Sequence, residues 1–127
     1  MNMSLGQPVI RPLEWIGSAR ADLIGFPKPV RKVFGHALHL AQSGEKPDNA
    51  KPLRGFGGAG VLEVVADHER STYRAVYTVK FARAVFVLHA FQKKSKRGIA
   101  TPKPEIDLIK RRLRFAAEQY ERLYESD

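Results

Sequence analysis

The chain has 127 residues, which is a length typical of one domain whose hydrophobic core holds without disulfides or metal. It contains no cysteine, and this excludes disulfides, thiol nucleophiles and cysteine-ligated metal centres. Lysine and arginine number 22 against 13 acidic residues, for a formal net charge of +9, so the expected partners are polyanions such as nucleic acid, acidic protein chains or anionic lipid.

The beginning of the chain is weakly patterned, and residues 1–11 are expected to be loosely ordered within a single domain spanning 1–127. They lack the charged-then-apolar order of a secretory signal, and no apolar run is long enough to cross a membrane. We therefore expect a cytoplasmic protein with no membrane partner. Pro12 to Gly17 predicts a short first strand, and Ser18 is a plausible N-cap for a short helix ending at Leu23.

Residues 29–42 predict a helix with one apolar stripe. Apolar side chains recur at helical spacing, and Gly44 is suited to end the helix. The stripe consists of Val30, Val33, Phe34, Ala37, Leu38 and Ala41. His36 and His39 lie off the stripe and are expected at the surface.

Four glycines in six residues, between Gly55 and Gly60, at first resemble a phosphate-binding loop. However, no helix pattern follows and no Gly-Lys-Ser/Thr ends the segment, so neither the P-loop nor the dinucleotide fingerprint is met. The segment is instead interpreted as a bend or bulge that leads into a strand.

Three strands are predicted next, over residues 60–66, 72–81 and 85–91, with a polar turn at 67–71. The last of them is nearly all apolar, which is typical of a central strand covered on both faces. Because the connections are short, the strands are expected to form an antiparallel meander. A second amphipathic helix is predicted over 105–124, after a basic loop at 92–103.

This order predicts an α+β fold, a small antiparallel sheet with N-terminal helices packed on one face and a C-terminal helix. The other sheet face is expected to be open to water or a ligand. Alternation along residues 72–80 places Arg74 and Lys80 with two threonines on that open face. Glu63 is expected to point outward too, where it could pair with Arg74 as a functional contact or as a solvated ion pair.

The positive charge is concentrated in the middle of the chain. Residues 51–103 hold eleven basic and three acidic residues, whereas 104–127 hold five basic and six acidic. A localised excess is typical of a binding surface, here one for a phosphodiester backbone. The candidate RNA-binding residues are Lys51, Arg54, Lys80, Lys96, Arg97 and Lys103.

Such a surface could cleave RNA without metal, by using the 2′-hydroxyl of the RNA itself as nucleophile. Arginine and lysine stabilise the charge that develops at phosphorus, and a lysine crowded by other cations can transfer protons. The catalytic candidates are Arg74, Lys93, Lys94 and His89, although His89 lies among apolar neighbours and is also interpretable as a core residue. No sequence pattern indicates a metal site or a cofactor.

The motifs TYRAVYTVKF at 72–81 and LHAFQKKSK at 88–96 resemble the phage-derived, HigB-like branch of the RelE/ParE toxin superfamily. The blocks KPLRGFGG, VLEVV and TPKPEI agree with it in order and spacing, so the resemblance runs from about Pro12 to about Tyr120. It implies a RelE-like fold and the toxin of a type II toxin–antitoxin pair, which cleaves messenger RNA in the ribosomal A site. A cognate helix-turn-helix antitoxin, HigA-like, is the implied partner.

By that resemblance the family's strand arginine is Arg74, its basic residues after the last strand are Lys93, Lys94 and Lys96, and its earlier lysine is Lys51. The chain departs from the pattern at Val64–Val65, where relatives carry an arginine, and it has no tyrosine after the basic loop. The general acid is therefore unassigned, and a histidine in that role would be His89. Two alternatives stay open, a ParE-like gyrase-inhibiting toxin and a non-catalytic RNA-binding remnant.

Overall fold

The computed structural model describes residues 9–58, 60–93 and 100–125. The elements in chain order are β1 Leu13–Trp15, α1 Ala19–Ile24, α2 Lys28–Gln42, β2 Ala50–Pro52, β3 Val61–His68, β4 Ser71–Thr78, β5 Val85–Lys93, α3 Lys103–Tyr120 and a π-type turn Glu121–Glu125. The strands form one sheet in the order β1-β5-β4-β3-β2. The α+β prediction is confirmed.

The three-strand meander is antiparallel as predicted, and the short first strand predicted between Pro12 and Gly17 is present as β1, whereas its parallel pairing and the strand β2 were not predicted. β1 pairs with β5 in parallel, and the short β2 pairs antiparallel with β3. β2 has only three residues, which is too short to show alternation, and no strand was predicted there. Val85 to Ala90 of β5 is buried throughout, because helices cover both of its faces.

The N-terminal helices cover one face of the sheet. Within α2, the predicted stripe is buried except at Val33, which is 37% exposed. This stripe packs with Leu23 of α1 against Tyr73, Tyr77 and other inward residues of the sheet. These residues form the larger of two buried apolar clusters. Each Å² of apolar surface that they remove from water stabilises the fold by roughly 25 cal/mol.

The opposite face is only half open, which corrects the expectation that it faces water or a ligand. α3 lies across it, and Ile109, Ala116 and Tyr120 pack against residues such as Phe86 and Leu88. The stripe of this helix was visible in the sequence, but its periodicity could not tell which sheet face it would cover. The uncovered half surrounds Val65, which is 38% exposed.

The turn between β3 and β4 is shorter than predicted. Asp67 and His68 belong to β3, and the loop consists of Glu69 and Arg70 alone, with His68 paired to Ser71. Both loop residues have positive φ, 47° and 70°, the left-handed geometry that a two-residue hairpin of this hand requires. Neither residue is a glycine or asparagine, so no residue of the kind that favours this geometry indicated so tight a turn.

Gly60 is required where the glycine segment meets β3. Its φ is +71°, and a Cβ there would lie 3.3 Å from the backbone nitrogen of Lys80. The interpretation of 55–60 as a bend leading into a strand agrees with the structure at the described glycines of this segment.

Candidate functional site

A cleft of about 620 Å³ occupies the half of the sheet face that α3 leaves uncovered. We call it the basic cleft and define it by five residues that line it: Lys51, Arg54, Glu63, Arg74 and Thr101. β2, β3 and β4 form its floor, and the segment before α3 forms one wall. It lies near the β3–β4 turn, where Asp67 and Thr72 line it. The helix α3 begins at Lys103, after the wall segment that contains Thr101.

Arg74 lies at the floor of the basic cleft with 7% of its surface exposed. Its Nη1 donates to Glu63 Oε1 at 3.0 Å and to the Thr101 hydroxyl at 3.2 Å. The Thr101 hydroxyl in turn donates to Glu63 Oε2 at 2.5 Å. Arg74, Glu63 and Thr101 thus form a closed triangle of hydrogen bonds.

The prediction that Glu63 pairs with Arg74 is confirmed, but the pair is not solvated. The two side chains are 12% and 8% exposed, respectively. The expectation that Arg74 stands on an open face is wrong in that respect, because the Thr101 segment lies over it. Thr78, on the same face, is fully buried and donates to the Gly60 carbonyl.

Further cations surround the triangle. Lys51 is the register partner of Glu63 on the neighbouring strand, so both side chains project from the same face. Lys51 and Arg54 are exposed. Lys93 is paired in the ladder with Thr72, which lines the cleft, and its Nζ donates to the Ala100 carbonyl at 3.1 Å.

Several cations around one concave surface can bind an anion such as phosphate. Solvent screens the charge of a buried guanidinium less than that of an exposed one. Acidic residues in the cleft limit this charge, since Glu63 and Asp67 also line it. Asp67 accepts a hydrogen bond from the Thr72 hydroxyl at 2.9 Å. The arrangement therefore places cations that can bind an anion around a carboxylate, Glu63, which is paired with Arg74.

Two predicted RNA-binding residues, Lys80 and Lys103, are not among the residues that line the basic cleft. Lys80 follows β4 at its far end, where its Nζ lies 5.6 Å from the centre of the Phe81 ring. Lys103 begins α3 and forms an exposed ion pair with Asp107 at 2.9 Å. Three other predicted residues, Lys94, Lys96 and Arg97, lie outside the described residues.

His89 lies in a different depression, a side cleft of about 410 Å³ along the outer edge of β5. The side cleft is defined by Asp22, Phe26, His89, Phe91 and Glu105, which line it. His89 Nε2 lies 2.6 Å from Glu105 Oε1, and Nδ1 lies 3.4 Å from Arg112 Nη1. Because a guanidinium only donates, Nδ1 accepts and Nε2 carries the proton that is donated to Glu105.

Burial lowers the pKa of His89 below its ordinary value of 6.5, and this outweighs the opposite effect of the Glu105 hydrogen bond. The imidazole is therefore neutral near pH 7 and bonded at both nitrogens. His89 is buried, so it does not stand on an open catalytic face, and its two polar partners distinguish it from a residue of an apolar core.

Arg112 connects this network to the first helix. It donates to the Leu88 carbonyl at 3.0 Å and to the Ser18 hydroxyl at 3.3 Å, and Ser18 donates to Asp22 at 2.8 Å. Its guanidinium lies against Gly17, where a Cβ would approach it to 2.9 Å. Ser18 thus precedes α1 as predicted, but its hydroxyl bonds to Asp22 rather than to the helix backbone.

The sequence did not single out Thr101, Glu105 or Arg112. Thr101 follows a loop, whereas Glu105 and Arg112 lie at the margin of the apolar stripe of α3, four residues before and three residues after the buried Ile109. This helical spacing was the available signal that Glu105 and Arg112 would be partly buried, and it does not indicate which groups they contact. Within the described ranges, no three acidic or histidine side chains are grouped so that they could hold a metal ion.

Comparison with known proteins agrees with the motifs quoted above. Residues 21–114 match the family described as phage derived protein Gp49-like, which is most of the chain. The chain therefore belongs to the phage-derived Gp49-like family, and the recognition of the phage-derived branch from its motifs is confirmed.

No curated protein matches the chain. Among solved structures, the toxin–antitoxin complex RelBE2 from Mycobacterium tuberculosis is similar, with 22% identity over 68% of this chain and 95% of that chain, and a TM-score of 0.46. Among the described helices, none is both long and apolar enough to cross a membrane.

Proposed function

We propose that this protein is the toxin of a type II toxin–antitoxin system and a ribosome-dependent, metal-independent endoribonuclease that cleaves translated messenger RNA. Membership of the phage-derived family and the resemblance of its motifs to HigB-like toxins support the toxin assignment. The observation that carries the nuclease assignment is the basic cleft, which Arg74, Lys51 and Arg54 line together with Glu63.

In the proposed reaction the 2′-oxygen of one nucleotide bonds to the adjacent phosphorus, and the bond from phosphorus to the 5′-oxygen breaks. The products are a 2′,3′-cyclic phosphate and a free 5′-hydroxyl. A base must accept the proton of the 2′-hydroxyl, an acid must protonate the leaving 5′-oxygen, and cations must stabilise the negative charge at phosphorus.

The residues of the basic cleft fit these roles. Arg74 binds the non-bridging phosphate oxygens, with Lys51 and Arg54 holding the flanking phosphates. Glu63, 3.0 Å from Arg74, is the proposed base. Lys93, tethered beside the cleft at Ala100, is the proposed acid, and Lys94 and His89 are the other candidates for proton transfer.

The proposed partners are messenger RNA on the ribosome and a helix-turn-helix antitoxin of the HigA type, both in the cytoplasm. An antitoxin that covers the basic cleft would neutralise the protein by charge as well as by shape, because the whole chain carries a net charge of +9. A small neighbouring gene with a helix-turn-helix pattern would support this pairing.

The test is induced expression in bacteria, with message ends mapped in the presence and absence of a translation inhibitor. We expect growth arrest and new message ends for the wild type, and neither for Arg74→Ala at equal protein level. Message loss that persists when translation is blocked contradicts ribosome dependence. DNA-damage signalling with intact messages contradicts the nuclease and favours a gyrase-inhibiting toxin.

One observation favours RNA binding without cleavage as the second candidate. The Arg74 guanidinium is already bonded through Nη1 to Glu63 and to Thr101, so a carboxylate compensates its charge before any phosphate binds. A non-catalytic protein would bind RNA with the same cleft but leave every message intact. Intact messages together with tight, salt-dependent RNA binding by the purified protein would identify this alternative.

A further inference from the structure

The side cleft lies next to the basic cleft, one strand further toward the sheet edge. Arg74 at the floor of the basic cleft is the register partner of Phe91, which lines the side cleft. Thr101 and Glu105, four residues apart, border the two clefts on either side of the start of α3. Neighbouring strands lie about 4.8 Å apart, so one nucleotide can reach from one cleft into the other.

The side cleft offers a flat aromatic surface. The rings of Phe91 and His89 are stacked, with centroids 4.8 Å apart and planes inclined by 20°. His89 is buried beneath, whereas Phe91 is half-buried and so presents part of its ring to the cleft. Aromatic rings of this kind are the usual platform for an unstacked base of single-stranded RNA.

Hydrogen-bond acceptors lie beside this platform. Glu105 is 33% exposed and uses Oε1 for the His89 bond, and Asp22 uses Oδ2 for the Ser18 bond. A carboxylate has about four acceptor positions, so each retains capacity for a ligand. Arg112 donates to His89, and His89 donates to Glu105. This chain of hydrogen bonds holds the Glu105 carboxylate in one orientation.

We propose that the side cleft binds one base of the RNA next to the phosphate held in the basic cleft, and that it selects guanine. Guanine alone among the four bases presents two parallel N–H donors, N1–H and the N2 amino group, on its Watson–Crick edge, and these match a carboxylate. Adenine and cytosine offer one amino group and uracil one ring N–H. The inference rests on the RNA binding in the proposed function but not on cleavage.

The test is the binding of non-cleavable 2′-O-methyl heptanucleotides UUUNUUU, with N as each base in turn, to the full chain by fluorescence anisotropy at low salt. We expect the wild type to bind N = G roughly tenfold more tightly than N = U. Glu105→Gln keeps an oxygen that accepts from His89 but turns an acceptor into a donor, so it should abolish the preference for G and leave the U oligonucleotide bound within about twofold of the wild type.

Phe91→Leu should weaken all four oligonucleotides alike, since it removes stacking but no acceptor. If Glu105→Gln unfolds, as checked by circular dichroism, the exposed Asp22→Asn replaces it and should reduce the preference for G. Equal binding of the four bases by the wild type, no binding of any, or a preference for G that survives in the folded acceptor variants overturns the inference. A preference for G in a protein that leaves messages intact upholds it while the proposed nuclease function fails.

Discussion

Arg74 holds its charge where little water reaches it, so its hydrogen-bond partners determine both stability and chemistry. Removing one partner of a buried ion pair typically costs about 3–5 kcal/mol, because the other charge stays buried without compensation. Arg74→Ala leaves the mostly buried Glu63 carboxylate without its ion-pair partner, so we expect a loss of this size in the free energy of unfolding. For this reason a loss of activity in Arg74→Ala is interpretable only when the free energy of unfolding is measured alongside it.

Thr101 tests the hydrogen-bonded triangle more gently. Thr101→Val removes the hydroxyl that joins Arg74 and Glu63 while keeping the shape of the side chain, so we expect a loss of about 1–2 kcal/mol in the free energy of unfolding. Thr101→Ser keeps the hydroxyl and should lie within about 0.5 kcal/mol of the wild type. Equal stability of the two variants in urea denaturation would show that the hydroxyl contributes nothing.

His89 predicts a pH dependence of stability. Its pKa in the folded state is below the ordinary 6.5 because burial disfavours the charged ring, so the unfolded chain binds more protons between the two values. The stability that His89 contributes is thus complete above about pH 6.5 and is lost as the pH falls through the lower, folded-state value.

His89→Gln removes this titration but can still donate to Glu105. We expect the free energy of unfolding of the wild type to fall more steeply than that of His89→Gln between about pH 7 and pH 5. The comparison cancels the other histidines and the carboxylates that both proteins share. Parallel curves would mean that the folded state does not favour the neutral ring.

At the scale of the elements, the spacing of apolar residues in the sequence predicted which side of a helix or strand is buried. The stripe of α2 and the alternation of β4 each indicated which residues face the N-terminal helices, and the apolar run at 85–91 indicated a strand covered on both faces; these predictions are confirmed. Three features needed tertiary information: the pairing of the very short β1 and β2, the face that α3 covers, and the closure of the Arg74 site by Thr101. None of them leaves a local pattern, because each depends on residues distant in the chain.

The β3–β4 turn gives a prediction at this scale. Arg70 has a φ of 70°, a geometry that costs a residue with a side chain about 1 kcal/mol or more relative to glycine. Arg70→Gly should therefore raise the free energy of unfolding by roughly 0.5–1 kcal/mol despite its greater freedom in the unfolded chain. Arg70→Ala removes the same charge without relieving the backbone, so a gain of equal size in both variants would contradict the explanation.

At the scale of the whole molecule, net charge alone does not distinguish a site from a generally basic surface. RNA binding that depends on Lys51, Arg54, Arg74 and Lys93 predicts a salt dependence with a log–log slope of about −3, since each neutralised phosphate of a single strand contributes about −0.7. Arg74→Ala should reduce the slope by about 0.7 in a titration of non-cleavable RNA. An unchanged slope would place Arg74 outside the interface.

The central claim, that cations of the basic cleft rather than the overall charge act on RNA, is tested by charge-matched double variants in a reconstituted translation system. Lys51→Ala with Arg54→Ala removes two charges that line the cleft, and Lys80→Ala with Lys103→Ala removes two charges that do not line it. We predict that the first pair slows cleavage of a translated message at least about tenfold and the second by no more than about twofold. Equal losses in the two pairs, or no loss in the first, would contradict the account.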